Sequence, residues 1–179
     1  AGATWPAGNV ITASTPASTD PPTGADNGQY SWTIPDAIGT QLRVRVLDAA
    51  DASVFDDSNA NFSVKGSVTI TAPNGAEVWI VGASQNLTWT RTGSFANVKL
   101  EYSTNAFADE LQTVLIAGSA PAAPLSYAWT VPDAIGTTLK VRASDAADAT
   151  VVDTSNANFE IKGSLALTAP NGTEVWRVG

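Results

Sequence analysis

Apolar and polar residues alternate along this chain with a period of two. In Leu42-Arg43-Val44-Arg45-Val46 every second residue is apolar, and Leu139-Lys140-Val141-Arg142-Ala143 repeats the pattern. Tyr30, Trp32 and Ile34 alternate with Ser31 and Thr33, Leu87 and Trp89 with Thr88 and Thr90, and Val98, Leu100 and Tyr102 with Lys99 and Glu101. Successive side chains of a strand point to opposite faces, so each run predicts a strand with one face in a core and one in water. Helical spacing is not sustained anywhere. Turn residues separate the runs: Ala-Pro-Asn-Gly at 72–75, Arg-Thr-Gly-Ser at 91–94 and Pro-Asp-Ala-Ile-Gly at 132–136.

The pattern itself recurs. Tyr30 to Gly82 returns, with few changes, as Tyr127 to Gly179, and Trp32 maps to Trp129, Phe62 to Phe159, Pro73 to Pro170 and Trp79 to Trp176, always 97 residues on. A step of this size exceeds the solenoid range of about 20–50 residues and matches one small domain. Residues 67–163 make one complete unit. Strands are predicted near 67–71, 77–80, 85–90, 97–102, 112–117, 126–131, 138–143 and 158–162. Seven or eight short antiparallel strands in about 100 residues predict an all-β chain of tandem immunoglobulin-like or fibronectin-III-like sandwiches. Trp89 and Trp129 are expected between the sheets.

Residues 1–66 match the later part of a unit, and lack counterparts of 67–71, 85–90 and 97–102; residues 164–179 match the first strands of a further one. The joints Val64-Lys65-Gly66-Ser67-Val68 and Ile161-Lys162-Gly163-Ser164-Leu165 are too short to act as a flexible coil, so the expected product is a semi-rigid rod. The segment from Ser14 to Gly24 is dense in Pro, Ser and Thr and reads as an exposed loop or an O-glycosylated patch. The ragged ends admit two accounts. Residues 164–179 either complete the partial unit of a neighbour or belong to a longer polypeptide. Donation would still leave counterparts of Leu87-Thr88-Trp89 and Val98 to Tyr102 missing, at about 25 cal/mol per Å² of apolar surface left open. The longer polypeptide is therefore the expectation.

Composition narrows the chemistry. The chain has no His, no Cys and no Met. A Ser-His-Asp triad, a Cys-His pair and a Cys/His zinc or haem site are thereby excluded within it. The missing Met implies that residue 1 is not a translation start. Net charge is −8, which argues against nucleic acid and anionic membranes as partners. No apolar run approaches the ~18 residues of a membrane span.

Asp48, Asp51 and Asp56 recur as Asp145, Asp148 and Asp153, between the last two strands of each unit. Clustered carboxylates supply some of the oxygen ligands calcium needs, so these six are calcium candidates, although the EF-hand Gly and terminal Glu are absent. The alternative is that the same residues close Asx-turns on their own backbone. No other cofactor is expected. Paired carboxylates also raise a glycosidase, but the repeated ones lie in turns, and no catalytic residue is assigned. Arg43 with Arg45, and Lys140 with Arg142, predict a basic stripe on an exposed strand face, either solvated or facing an acidic neighbour. Asn61-Phe62-Ser63, Asn86-Leu87-Thr88 and Asn171-Gly172-Thr173 fit the N-glycosylation pattern.

Several segments together carry a resemblance. They are Pro73-Asn74-Gly75-Ala76-Glu77-Val78-Trp79, Leu87-Thr88-Trp89-Thr90, Val98 to Thr104, Tyr127 to Pro132, Val141-Arg142 and Ser155 to Phe159. The set resembles the Ser/Thr-rich cell-wall and GPI-anchored β-sandwich family, which includes yeast cell-wall β-glucan assembly proteins and many bacterial surface-protein repeats. The resemblance implies an extracellular sandwich module without catalytic residues. The near-duplicate tandem copies are more similar to the bacterial arrays, so the fungal glucan role is not carried over. The expected function is thus a non-enzymatic stalk or filament at the cell surface, adhesive in some settings, whose partners are neighbouring copies of the same domain, in one long chain or a homopolymer. The alternative is a carbohydrate-binding module array contacting cell-wall glycan.

Overall fold

The computed structural model describes Val10, Ile11 and residues 30–179. The Pro/Ser/Thr-rich segment at 14–24 lies outside the described residues. Two compact units divide the chain, residues 1–64 and 65–179.

Unit 1 contributes β1 (Gly39–Leu42), β2 (Arg45–Leu47), β3 (Phe55–Asp57) and β4 (Phe62–Val64). β1 pairs with β4 and β2 with β3, both antiparallel. Unit 2 contributes β5 (Ser67–Ala72), β6 (Val78–Ile80), β7 (Ser84–Thr92), β8 (Asn97–Ser103), β9 (Thr113–Pro121), β10 (Ser126–Thr130), β11 (Gly136–Asp145), β12 (Val152–Thr154) and β13 (Phe159–Lys162), with one 3-10 turn at Glu110–Gln112. These strands form two sheets. One has the order β10-β7-β5, the other β6-β13-β11-β8-β9 with β12 beside β11. The chain is all-β, and unit 2 is an immunoglobulin- and fibronectin-III-like sandwich.

Alternation decides which side chains enter the core. On β8, Val98 and Leu100 are fully buried with Tyr102 beside them, and Leu139, Val141 and Ala143 do the same on β11. Trp89 and Trp129 lie in the core, as the alternation predicted, and Trp79 joins them. Trp79 meets Trp129 edge-on at 5.9 Å between ring centroids and Phe159 at 5.2 Å, while Tyr102 meets Trp129 at 5.3 Å. The Trp89 indole N–H donates to the Ala122 carbonyl at 3.2 Å, so burial leaves no orphaned donor there.

The run at Tyr30, Trp32 and Ile34, read as a strand, forms none; its counterpart β10 pairs with β7, and no such partner lies beside it among the described residues. Two elements of unit 2 also depart from the sequence reading. β6 is parallel to β13, with Val78 opposite Glu160 and Ile80 opposite Lys162, not antiparallel as expected. The chain crosses from β5 in one sheet to β6 in the other without reversing. Nearly the whole domain then lies between β6 and β13, ample for the long connection that parallel pairing needs. The crossing turn depends on Gly75, whose φ is +135°; a Cβ there would sit 2.7 Å from the Ala157 methyl. The second departure is β12, three residues within a stretch read as loop. Its pairing with β11 (Ala143 opposite Asp153) shows only in three dimensions.

The ladders of the two units share one register. Gly39 opposes Val64 and Leu42 opposes Phe62, as Gly136 opposes Ile161 and Leu139 opposes Phe159. Val46 opposes Asp56 as Ala143 opposes Asp153. The Ser58 hydroxyl accepts from the Val44 N–H at 3.2 Å, and Ser155 from Val141 at the same distance. Burial is not shared. Ile34 is 55% exposed where Val131 is 1%, and Val54 is 57% exposed where Val151 is 7%.

This difference generates a prediction. Phe159→Ala should destabilise unit 2 by about 3–5 kcal/mol, the usual cost of emptying a buried phenylalanine site. The same change at the half-buried Phe62 should cost clearly less. Urea unfolding followed by tryptophan fluorescence checks both, and equal losses would contradict the difference in burial.

Candidate functional site

The repeated aspartates sit where β11 turns into β12, and where β2 turns into β3. In unit 2, Asp145 is buried and its Oδ1 accepts from the Ala147 N–H at 2.9 Å. Asp148 Oδ1 accepts from the Thr150 N–H at 3.0 Å and hydroxyl at 2.6 Å. Its other oxygen pairs with Lys65 Nζ at 3.0 Å, and the same ammonium donates to Thr150 Oγ1. Asp153 Oδ2 accepts from the Ile70 N–H at 2.8 Å, tying β12 to β5. The three carboxylates thus point at three different sets of donors.

Unit 1 builds the same turn. Asp48 Oδ1 accepts from Ala50 N–H at 2.8 Å, and Asp51 Oδ1 accepts from the Ser53 N–H at 2.9 Å and hydroxyl at 2.6 Å. Asp56 lies on β3 opposite Val46. The backbone closes alike in both, with Asp48 N–H donating to Val54 O and Asp145 N–H to Val151 O, each at 2.9 Å. These are Asx-turns, in which a short carboxylate replaces a missing backbone acceptor. Among the described residues no group of three or more His, Cys, Asp or Glu side chains is arranged to hold a metal ion.

Electrostatics follow the hydrogen bonds. The Thr150 hydroxyl first, then Lys65 and the Thr150 amide, hold the Asp148 carboxyl down at about 2. Asp51 is lowered too, by the Ser53 hydroxyl and amide. The lysine that grips Asp148 belongs to the short joint. Gly66 beside it packs so closely that a Cβ would meet Thr92 O at 2.5 Å and the Phe95 ring at 2.9 Å. The joint residues are therefore held by unit 2 itself. A shallow depression of about 210 Å³ is lined by Lys65 to Val68 and Thr150 to Val152, below the ~300 Å³ lower end of ligand pockets.

A second cluster lies on the outer face of β8 and β11. Arg142 pairs with Glu101 at 3.1 Å and with Glu110 through two parallel bonds of 2.9 and 3.0 Å, its guanidinium 4.5 Å above the Phe107 ring. The basic stripe expected here is corrected: Arg142 is partly buried beneath the loop between β8 and β9, which carries both Phe107 and Glu110. Arg45 in unit 1 is likewise paired, to Asp57 at 2.6 and 2.8 Å. Arg142 chiefly, and then the Thr113 hydroxyl, hold Glu110 down at about 2. Neither the Lys65–Asp148 clasp nor the Arg142 cluster was visible in the sequence. Their partners lie 83 and 32 to 41 residues apart, and the sole local signal was the return of Lys65 as Lys162.

No protein-family model and no curated protein sequence matches the chain. Among solved structures it is similar to the fibronectin(III)-like modules of Clostridium thermocellum CbhA, at 20% identity and a TM-score of 0.40, over 79% of this chain and 70% of that one.

Two expectations follow. Asp148 should titrate near 2 by carboxyl-carbon NMR, and Lys65→Ala should move it up toward the ordinary aspartate value of about 3.9. The pKa is lowered on folding, so the associated stability is full above about pH 4 and is lost as pH falls toward 2. Because the loop carboxylates already serve backbone and hydroxyl donors, melting curves taken with calcium and with chelator should superimpose. A separation of several degrees would reveal a folded-state ligand and support the metal reading.

Proposed function

We propose that this chain is an extracellular structural repeat protein, a run of β-sandwiches that serves as a semi-rigid stalk or filament segment at the cell surface. One observation carries the reading. The 97-residue repeat persists from sequence into the backbone itself, where β1, β2, β3 and β4 keep the pairing register of β11, β12 and β13. Repeated, near-identical modules joined through two residues suit a part whose property is length. The joint is held down by the Lys65–Asp148 clasp and by the fit of Gly66, which supports stiffness at that point.

The remaining features agree with an exterior spacer. Stability comes from burial without thiols. The charge content of 15% is low against a typical ~25%, and the loops are stiffened by Asx-turns. The resemblance to cell-wall and bacterial surface repeats supports the same location. The alternative, a carbohydrate-binding array, calls for flat aromatic faces open to a sugar. Trp79, Trp89 and Trp129 instead spend their faces on the core.

Antibody raised against residues 67–163 should label intact source cells or their shed material, and labelling confined to permeabilised cells would sink the proposal. Titration of the purified chain with cell-wall glycans, read by tryptophan fluorescence, should show no saturable change at micromolar concentration. A saturable change would move the assignment to the carbohydrate-binding alternative.

A further inference from the structure

An asparagine followed by glycine can react with its own backbone, because glycine has no Cβ to hinder attack by its nitrogen on the preceding side-chain amide. Unit 2 carries such a pair, Asn74-Gly75, at the turn where the chain crosses from β5 to β6. Each group the reaction would use is already engaged. Glu77 Oε1 accepts from the Asn74 N–H at 2.9 Å, and its Oε2 from the Gly75 N–H at 2.8 Å. Asn74 Oδ1 accepts from the Asn156 N–H at 2.6 Å. Gly75 itself is fixed at a φ of +135° against Ala157. The pair is thus clamped by Glu77 on its own strand side and by Asn156 and Ala157, just before β13, on the other.

We propose that Asn74-Gly75 is a latent modification site, held inert by Glu77 and Asn156 in the folded sandwich and converted to aspartate or isoaspartate once the turn opens. The Gly75 nitrogen attacks the carbonyl carbon of the Asn74 side chain. One C–N bond forms, the bond to the side-chain amide nitrogen breaks, and ammonia leaves carrying the Gly75 amide proton. The product is a five-membered succinimide. Water then opens the ring at either of its two C–N bonds, which gives aspartate on the original backbone or isoaspartate with the main chain routed through the side chain. No reactant besides water is needed. Folding opposes the first step in two ways. Removing the Gly75 proton would place a second negative charge 2.8 Å from a carboxylate oxygen, and a like charge at that distance disfavours ionisation. Ring closure also requires the Asn74 side chain to rotate, which the Asn156 bond restrains.

The change would not be silent. Isoaspartate adds a methylene to the main chain at a turn so close-fitting that a Cβ on Gly75 would sit 2.7 Å from the Ala157 methyl. A new carboxylate at position 74 would also stand beside Glu77. Trp79 follows within the same segment and packs on Trp129 and Phe159, so a lengthened turn shifts β6 out of its parallel register with β13. Modification therefore marks a sandwich that has opened, and hinders β6 from returning. The inference does not depend on the stalk reading.

Incubation of the 179-residue chain at mildly alkaline pH, in buffer and in guanidinium, tests this by mass spectrometry. Cleavage after Lys and Arg isolates Asn74 in the peptide 66–91, and the second Asn-Gly pair, Asn171-Gly172, in 163–177. Fragmentation assigns the amide-to-acid change to Asn74 or to Asn86. At Asn74 the change should be at least about tenfold slower in buffer than in guanidinium, because the open fraction limits it. Glu77→Gln keeps one acceptor oxygen and loses the charge. It should speed the reaction in buffer severalfold while hydrogen exchange across β11, which reports opening of the whole sandwich, stays as in the parent chain. Chain modified in guanidinium should recover less tryptophan burial on dilution than unmodified chain. Equal rates in buffer and denaturant overturn the proposal, and that comparison stands whether or not the variant folds. A variant rate that is unchanged, or raised only in step with β11 exchange, overturns the role of Glu77 and the proposal with it. Full recovery by the modified chain overturns the hindered return of β6.

Discussion

The aromatic seam where the two sheets meet is the contact on which the sandwich depends. Trp79 comes from β6, Phe159 from β13 and Trp129 from β10, so three strands from both sheets close on one another. Each such ring buries about 150–250 Å², and edge-on packing adds directional preference to that burial. Trp79 can reach the seam because the chain changes sheets at Gly75, and β6 can lie parallel to β13 because the rest of the domain intervenes. Topology, turn and core are thus one arrangement seen at three scales.

Unit 1 shows what remains when the seam's partners are missing from the described residues. The pairing of β1 with β4 and of β2 with β3 is unchanged, down to the Ser58 hydroxyl on Val44. Those contacts are local, within about 25 residues of sequence. Ile34 and Val54, however, face solvent, because burial requires strands from the opposite sheet. Ladder register and core formation are separable properties here.

Charges in this protein fasten loops. Asp48, Asp51, Asp145 and Asp148 close turns on nearby amides, and Asp153 bonds an amide of the facing strand. Exposed ion pairs contribute at most about 1 kcal/mol each, so the Lys65–Asp148 pair adds little to the stability of unit 2. The Arg142 cluster is better shielded, since two carboxylates and the Phe107 ring surround one guanidinium.

The sequence by itself determined the all-β class, the repeat, the strands of unit 2 other than β12, and the burial of Trp89 and Trp129. Each of these follows from a period of two or from turn residues, which act within a few positions of the chain. Tertiary structure alone decided the parallel placement of β6, the existence of β12 and the partners of Lys65, Arg142 and Asp153. Those depend on which distant strands come to lie side by side, and no local propensity encodes that. The aspartates illustrate the boundary well. Their recurrence was plain in the sequence, but a carboxylate's use is set by the donors that folding brings within about 3 Å of it, and folding brought amides, hydroxyls and one lysine.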